Sequence, residues 1–242
     1  MDSIVLAGGF AKRMWPLTKS VPKQLLDVAG KPMLQHVLES ISSLPSDRIV
    51  ISVNSFFEPQ FRKFLENYKT IEKIELYVED SEKEEEKLGA LGALHLLLTD
   101  LSIKGPVFIA GGDNLSDFNL LKMLKISEET NKDVIGLYDV NDSNLAKLYG
   151  IAELEGNRII GFEEKPDTPV SNLAATAYWL LTEKGVSNFF DYISSGGDRD
   201  AMGNFLEWNV RRHDVRSVSF TGKWYDIGSL NSYSDAQKWF SS

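Results

Sequence analysis

The sequence predicts an α/β fold, in which helices sandwich a mixed, mostly parallel sheet and the second half of the chain adds an antiparallel extension. Through residues 1–140, short apolar runs rich in β-branched residues alternate with amphipathic stretches. After Gly150 the runs become shorter and are separated by turn residues. With 242 residues, 43% of them hydrophobic and 25% charged, the chain has the composition of a globular protein and is long enough to bury a sizeable core.

The first half supplies the parallel part of the predicted sheet. Strands are predicted at 3–7, 48–53, 73–78, 105–110 and 133–140, and helices at 33–44, 59–68, 91–98 and 120–130. Crossovers between parallel strands are right-handed, so the ligand-binding loops are expected at the carboxyl ends of the strands. This order of elements is typical of a Rossmann-like arrangement.

The second half is predicted to extend the same sheet with antiparallel strands. These strands are expected at 151–154, 158–164, 174–182 and 215–220, and the residues 155–157 read as the turn of a hairpin. Helices are expected at 186–193, 204–210 and 229–240, the last with Ser229 as its N-cap. We therefore predict a single domain that spans residues 1–242.

Charge and composition exclude several classes of protein. A net charge of −9 argues against general binding to nucleic acid or to an anionic membrane surface. The absence of cysteine excludes disulfides and thiol catalysis. No apolar run approaches the ~20 residues of a membrane span, and no basic leader precedes the first strand, so we expect a cytoplasmic protein.

Positive charge is concentrated in the opening stretch, against the overall balance. Between residues 12 and 31 there are five cations and one acid: Lys12, Arg13, Lys19, Lys23 and Lys31 against Asp27. Gly8 and Gly9 come directly after the first strand, where backbone N–H groups can form an anion-binding nest. Neither a dinucleotide fingerprint nor a Walker loop is present. The stretch is therefore predicted to bind a compact anion such as phosphate, whereas the acidic segment 79–87 is predicted to be a solvated loop.

The same stretch resembles the signature of the sugar nucleotidyltransferases, the nucleoside-diphosphate-sugar pyrophosphorylases. Their pattern runs G-G-x-G-[ST]-R-[LM]-x-P-L-T, then [PS]-K-[PQ]-L and K-P-M, and this chain reads "GGFAKRMWPLT", "PKQL" and "KPM". Two positions depart from it, since Ala11 replaces a glycine and Lys12 replaces a hydroxyl residue. The motif sequences most resemble those of glucose-1-phosphate thymidylyltransferases and mannose-1-phosphate guanylyltransferases. We expect no β-helix domain of the kind that some of these relatives append. The resemblance implies that Arg13 and Lys23 are catalytic and that Gly8, Gly9 and Gln24 bind nucleotide.

Later motifs resemble the rest of the family's site. Asp113 in "GGDN" and Asp226 in "WYDIGS" match the two carboxylates that bind Mg²⁺, the expected cofactor, and Asp113 also faces the nucleotide. Two carboxylates are sufficient for magnesium when phosphate oxygens and water complete its shell. Gly89 in "LGALGAL" matches a helix start whose backbone reads the base. These positions place the predicted nucleotide-binding half in residues 1–140.

The predicted sugar-binding half, residues 141–242, carries the remaining motifs and the closing helix. Gly150 matches a glycine that lies against the sugar, and "EKP" implies that Glu164 binds sugar hydroxyls while catalytic Lys165 binds the sugar phosphate. In a regular strand, Glu164 and Lys165 would face opposite ways, so joint contact requires a bulge or a twist. Asn172 is the third sugar-binding candidate, although Ala177 stands where the family has glycine.

The resemblance implies a nucleotidyltransferase that joins a nucleoside triphosphate to a hexose 1-phosphate and releases pyrophosphate. A phosphomonoester is already an anion near neutral pH, so no general base is required. The triphosphate is expected to be dTTP, UTP or GTP, with a lean toward dTTP or UTP, and a homodimer is possible. Three alternatives stay open: a non-catalytic sugar-nucleotide-binding regulatory subunit, a cytidylyltransferase acting on a non-sugar phosphate, and a nucleotide-dependent oxidoreductase.

Overall fold

The computed structural model describes residues 1–86 and 88–240, with a central sheet between layers of helices. The helices are α1 (Met33–Ile41), α2 (Glu58–Asn67), α3 (Ala90–Asp100), α4 (Leu121–Thr130), α5 (Ser143–Ala146), α6 (Glu183–Ser194), α7 (Met202–Val210) and α8 (Leu230–Phe240). The strands are β1 (Asp2–Leu6), β2 (Asp27–Val28), β3 (Lys31–Pro32), β4 (Arg48–Asn54), β5 (Ile74–Glu79), β6 (Val107–Gly111), β7 (Asn114–Ser116), β8 (Val134–Asp139), β9 (Gly150–Glu155), β10 (Arg158–Glu164), β11 (Leu173–Leu181), β12 (Val215–Phe220) and β13 (Trp224–Asp226).

Within the described residues, the large sheet has the strand order β5-β4-β1-β6-β11-β8-β12-β10-β9. Strands β5, β4, β1 and β6 are parallel neighbours, and β12 is parallel to β8. Strands β9, β10 and β11 run antiparallel to their partners. The predicted fold class, a mostly parallel sheet with antiparallel additions, is confirmed.

Strand β11 does not lie at the edge of the sheet, where an extension would place it. It pairs with β6 on one side and with β8 on the other, so a strand from the second half separates two strands of the first. Its apolar residues explain this position, because Tyr178, Trp179, Leu180 and Leu181 are all buried. The two sequence halves are therefore interleaved within one sheet.

Alternate residues of the parallel strands face two separate hydrophobic clusters. Val5 and Ile51 pack with residues of α1 and α2 on one face, whereas Ile4 and Val50 pack with residues of α3 and α6 on the other. Strands buried on both faces produce the continuous apolar runs seen in the sequence. This packing fixes the carboxyl ends of the strands, from which the loops of the candidate site emerge.

Several local predictions are confirmed at the ends of elements. Ser229 Oγ accepts the Ser232 N–H at 3.1 Å and thus caps α8. The β9–β10 hairpin turns at Gly156, whose φ of +62° favours glycine. Among residues 1–86 and 88–240, no helix combines the length and the apolar character needed to cross a lipid bilayer. The acidic segment 79–87 is exposed at most described positions but begins with a buried residue, Glu79, and its last residue, Lys87, lies outside the described residues.

Candidate active site

A cleft of about 570 Å³ opens at the carboxyl ends of the parallel strands, and most of the predicted site residues line it. Its walls come from both sequence halves, as the interleaved sheet requires. The predicted residues in its lining are Gly8, Gly9, Arg13, Lys23, Gln24, Gly89, Asp113, Gly150, Glu164 and Asp226. Predicted residues Lys165 and Asn172 are not part of this lining.

Lys23 and Asp113 form an ion pair at the floor of the cleft, between Lys23 Nζ and Asp113 Oδ2. Lys23 follows Pro22 in a short 3-10 turn and is 8% exposed, which is low for a lysine. Burial is the largest single influence and would raise the pKa of Asp113, but the Lys23 charge together with hydrogen bonds from Lys23 and Asn114 holds the pKa below its usual value. The pair places a cation and an anion where two phosphorylated ligands could meet.

Asp226 is brought next to Asp113 by the two-stranded ladder of β7 and β13. In this ladder Asp226 pairs with Asn114, and the Ile227 N–H donates to the Asp113 carbonyl at 3.1 Å. Burial, and then the Asp113 charge, raise the pKa of Asp226 to about 6, while Lys23, Arg13 and Lys165 act in the opposite direction. Two carboxylates thus lie together, with three cations close enough to act on one of them.

Asp226→Asn is expected to stabilise the metal-free protein at pH 8 and to leave its stability unchanged at pH 4. The folded pKa of about 6 lies above the unfolded value of ~3.9. Asp226 therefore contributes stability below pH 4 that is lost as the pH rises through 6, and ionisation costs roughly 2–3 kcal/mol by pH 8. Chemical denaturation with a chelator at both pH values measures the difference. The exposed Asp167→Asn serves as a control, and equal stability of Asp226→Asn and wild type at pH 8 would contradict the expectation.

The glycine turn after β1 approaches the site with its backbone. A methyl group on Gly8 would lie 2.4 Å from Glu79 Oε1, so a larger residue there would displace the Glu79 carboxylate, whereas Gly9 faces open space. Ala11 has a left-handed φ of +51° and leads into the 3-10 turn that carries Arg13. Arg13 is exposed in the cleft, and a methyl group on Gly228 would lie 3.3 Å from its Nη2. Lys12, which departs from the family pattern, pairs with Glu85 of the acidic segment at 3.0 Å.

Gln24 presents a buried acceptor that no described residue satisfies. The side chain is 3% exposed, and its Oε1 has no hydrogen-bond partner. A buried amide oxygen without a partner is costly unless a ligand or water supplies a donor. Because Gln24 lines the cleft, its position is consistent with the predicted contact to nucleotide.

Glu164 and Lys165 reach the same side of the chain, as joint contact with one ligand requires. Lys165 adopts a left-handed φ of +49°, which breaks the alternation of the strand, and its Nζ pairs with Glu164 Oε1 at 3.1 Å. Gly150 packs against the same region, since a methyl group there would lie 2.2 Å from Phe162 Cζ and 2.7 Å from Glu164 Oε2. Glu164 and Gly150 line the cleft, and the exposed Lys165 stands beside it.

The start of α3 is occupied by another segment of the protein. The N–H groups of Leu91 and Gly92 donate to the Arg199 carbonyl, and that of Ala90 donates to the Asp200 carbonyl, at 2.8–3.1 Å. Gly89 has a φ of +74° and lies against the same backbone. Residues 90–92 therefore offer no free N–H to a base in this conformation, although Gly89 itself lines the cleft. Asn172 lies next to β11 and outside the lining of the cleft, where its backbone carbonyl accepts the Val140 N–H at 3.0 Å.

Sequence reasoning missed two residues of the cleft, Glu79 and Asn114. Glu79 ends β5 and is 6% exposed; burial raises its pKa, partly offset by a hydrogen bond from Ser52 Oγ at 2.7 Å. Glu79 begins an acidic run, so the sequence analysis assigned it to a solvated loop. A carboxylate at the end of a strand next to a phosphate-binding loop could have indicated a site residue. Asn114 lies between Asp113 and Asp226. It follows "GGD" directly, and only the pairing of β7 with β13 gives it a role.

The donor set of the cleft fits magnesium better than a metal held by protein alone. Within the part of the chain that the structure describes, no group of three or more histidine, cysteine, aspartate or glutamate side chains could hold a metal ion. Magnesium retains waters and is bound by one or two carboxylates together with phosphate oxygens. Asp113 and Asp226 therefore suit a magnesium ion whose remaining ligands are waters and phosphate oxygens.

Solved structures with this fold include nucleotide-sugar enzymes. A Bacillus anthracis protein, provisionally named a glucose-1-phosphate thymidylyltransferase and solved with sucrose, superposes with a TM-score of 0.86 at 24% identity and covers 100% of this chain and 96% of its own. A UDP-glucose pyrophosphorylase solved with UDP-glucose gives a TM-score of 0.81 at 20% identity, over 99% and 97% of the two chains. At these identities the likeness shows a shared fold. The fold is therefore of the mixed α/β class, with a central sheet flanked by helices.

Sequence comparison specifies the family. A model of the family described as nucleotidyl transferase matches residues 2–241. Mannose-1-phosphate guanylyltransferase 1 of Arabidopsis thaliana is 36% identical over 52% of this chain and 34% of its own length, and a Sulfolobus acidocaldarius protein provisionally named a mannose-1-phosphate guanyltransferase is 30% identical over 96% and 61%. The chain thus spans between about a third and two thirds of these relatives. It belongs to the nucleotidyl transferase family, among the sugar-1-phosphate nucleotidyltransferases, as the motifs predicted.

Proposed function

We propose that the protein is a sugar-1-phosphate guanylyltransferase, which joins GTP and a hexose 1-phosphate to form a GDP-sugar and pyrophosphate. The observation that carries the choice of base is the buried carboxylate of Glu79 at the nucleotide end of the cleft. The names of the Arabidopsis and Sulfolobus relatives support the same choice. This choice of GTP differs from the sequence analysis, in which the motifs favoured dTTP or UTP.

Glu79 is positioned to receive hydrogen-bond donors from a ligand. It lines the cleft with Gly8 and Gly89, and its Oε1 accepts from Ser52 Oγ. Among the described residues, Ser52 is the one whose side chain bonds to the Glu79 carboxylate, and no cation contributes to its pKa shift. A carboxylate without a cation repels phosphate groups, so this end of the cleft suits an uncharged part of the nucleotide.

Guanine is the base whose polar edge complements a carboxylate. Its N1–H and N2 amino group are adjacent donors, so both can be accepted by one carboxylate. Uracil and thymine offer one N3–H between two carbonyl acceptors, and cytosine and adenine pair one amino donor with a ring-nitrogen acceptor. Each of these would place a lone pair against Glu79, which costs the free energy of an unsatisfied buried contact.

The reaction is an in-line displacement at the α-phosphorus of GTP. An oxygen of the sugar phosphate attacks the phosphorus, the bond from the α-phosphorus to the bridging oxygen breaks, and pyrophosphate leaves with that electron pair. The attacking oxygen is already an anion, so the protein needs to align two polyanions and to offset their charge. This demand accounts for the cations that are gathered in a chain of net negative charge.

Each residue of the cleft receives a role from its position. The turn at Gly8 and Gly9 leads from the base beside Glu79 to the triphosphate, which the turn and the Arg13 guanidinium bind, and Lys23 stabilises charge at the α-phosphate. Lys165, beside the cleft, binds the sugar phosphate, and Glu164 in the cleft accepts hydrogen bonds from sugar hydroxyls. Asp113 and Asp226 would hold the magnesium ion, which when bound supplies positive charge between the phosphates. Gln24 Oε1 accepts a hydrogen bond from a nucleotide hydroxyl or from a water molecule bound to the nucleotide.

A screen of GTP, UTP, dTTP, CTP and ATP against mannose, glucose and N-acetylglucosamine 1-phosphates tests the proposal. Pyrophosphate release is expected to be fastest with GTP. Glu79→Gln is expected to lower the GTP-to-UTP ratio of kcat/KM about 10-fold, because the amide keeps one acceptor and presents an N–H to the base. Glu75→Gln, on the same strand but paired with Arg48, is the matched control. An unchanged ratio in Glu79→Gln would rule out this assignment of the base.

The alternative functions receive less support. A regulatory subunit would be expected to lack one of the charged residues, whereas Arg13, Lys23, Asp113 and Asp226 all line one cleft. No observation favours a non-sugar phosphate as acceptor, and membership in the family disfavours an oxidoreductase. A homodimer and a cytoplasmic location stay predictions from the sequence.

A further inference from the structure

Asn114 lies between the two carboxylates, and a residue from another strand fixes the direction of its amide. Its Nδ2 is 3.1 Å from Asp113 Oδ1 and makes a longer contact of 3.5 Å with Asp226 Oδ1. We propose that Asn114 is a positioning residue that directs both carboxylates at one cation, and that Trp224 holds its amide in the required orientation. The inference rests on the proposed function, since it concerns the same magnesium site.

The orientation of the Asn114 amide follows from the chemistry of its neighbours. The Trp224 indole Nε1–H can only donate, and it lies 2.9 Å from Asn114 Oδ1. The Ala177 N–H also points at this oxygen, at 3.4 Å. The amide oxygen must therefore face Trp224, and the NH₂ group must face the carboxylates. The reverse orientation would set an amide oxygen against two carboxylates and an NH₂ group against an indole N–H.

The packing around Asn114 prevents its side chain from moving to another position. Asn114 is 4% exposed, and Trp224 is also buried. Its backbone is held separately from its side chain, because the Tyr178 hydroxyl donates to the Asn114 carbonyl at 2.8 Å and the residue pairs with Asp226 in the β7–β13 ladder. The amide is thus available to the carboxylates before any ligand arrives.

A neutral group with two N–H donors suits this position between like charges. A lysine at this position would add a second cation beside Lys23 and compete with the incoming metal ion, and a third carboxylate would add to the repulsion. Lys23 holds Asp113 by an ion pair, so without the amide it is Asp226 that would be free to rotate away, whereas Mg²⁺ requires near-octahedral ligands at 2.0–2.1 Å. Outer hydrogen-bond partners of metal ligands typically affect metal affinity by about 10- to 100-fold.

Binding of Mn²⁺ alone, followed by electron paramagnetic resonance without substrates, tests the inference. Mn²⁺ takes the same oxygen ligands as Mg²⁺ and its free form is counted directly. Asn114→Ala and Trp224→Phe are each expected to weaken Mn²⁺ binding about 10-fold. Tyr178→Phe is the matched control, because it removes a buried hydrogen bond to the Asn114 backbone and leaves the amide in place; its affinity should stay within two-fold of wild type.

Asp226→Asn separates this inference from the proposed function. If Asp226→Asn weakens Mn²⁺ binding but Asn114→Ala and Trp224→Phe do not, the positioning role is overturned while the metal site stands. If Asp226→Asn leaves binding intact, both the metal assignment and the inference fail. An equal loss in Tyr178→Phe would show general packing instead of positioning. Should Asn114→Ala fail to fold, as judged by circular dichroism, Trp224→Phe decides the outcome.

Discussion

Lys23→Ala is expected to lower kcat for pyrophosphate release about 100- to 1000-fold. The Lys23 ammonium, which we propose meets the α-phosphate, is buried and paired with Asp113. A preorganised donor that meets developing charge in a site that excludes water typically contributes this much to the rate. An assay of pyrophosphate release at saturating GTP and sugar phosphate measures this change in kcat. The loss should appear in kcat, since the charge on the reacting phosphate grows toward the transition state.

Two controls separate catalysis from stability in this variant. Removing Lys23 leaves Asp113 without its cation, which can cost about 3–5 kcal/mol of folding free energy for a buried pair. Thermal melting must therefore show that Lys23→Ala is folded at the assay temperature. Lys19→Ala removes a cation from the same opening stretch at an exposed position outside the cleft and should stay within two-fold of wild type. Turnover of Lys23→Ala within a few-fold of wild type would contradict the assigned role.

Gly150→Ala is expected to lower kcat/KM for the sugar phosphate about 100-fold, chiefly through KM. The added methyl group would lie 2.2 Å from Phe162 Cζ and 2.7 Å from Glu164 Oε2, so Glu164 must move away from the sugar. Loss of hydrogen bonds to a polar substrate typically costs about 1.5–3 kcal/mol for a charged acceptor, which corresponds to 10- to 100-fold. Steady-state kinetics with the sugar phosphate varied at saturating GTP measures the split.

Gly161→Ala provides the matched control in the same hairpin. A methyl group there would lie 3.2 Å from Glu153 Oε2 and 3.5 Å from Glu153 Cβ, so a small shift of one carboxylate accommodates it. The KM for GTP should change little in either variant, because the proposed function assigns Gly150 to the sugar side of the cleft. A Gly150→Ala enzyme with unchanged sugar KM would show that Glu164 does not contact the sugar.

Much of the fold was predictable because the relevant signals are local. Apolar runs with β-branched residues located the parallel strands, and a glycine turn located the β9–β10 hairpin. The insertion of β11 between β6 and β8 was not predictable, since strand order depends on contacts between residues far apart in sequence. The short ladders of two or three residues, such as β7–β13, are too brief to leave a periodic pattern.

The candidate site was predictable where a residue type and its spacing identify the chemistry. Arg13, Lys23, Asp113 and Asp226 come from four segments and meet in one cleft, as the motifs implied. Glu79 was concealed by the acidic run that follows it, because composition cannot distinguish one buried carboxylate from exposed neighbours. The contact of residues 199–200 with α3 left no sequence signal, since it uses only backbone carbonyls.

The pairing of β7 with β13 has a consequence for how the protein is made. Asn114 and Asp226 are 112 residues apart in the chain, so at about 5–20 residues per second the ribosome completes the first roughly 6–20 s before the second. During that interval the nascent chain already exposes Lys23 and Asp113 but lacks the strand that joins them to Asp226. The proposed cation-binding centre therefore cannot form until Asp226 has left the ribosome, 113 residues after Asp113.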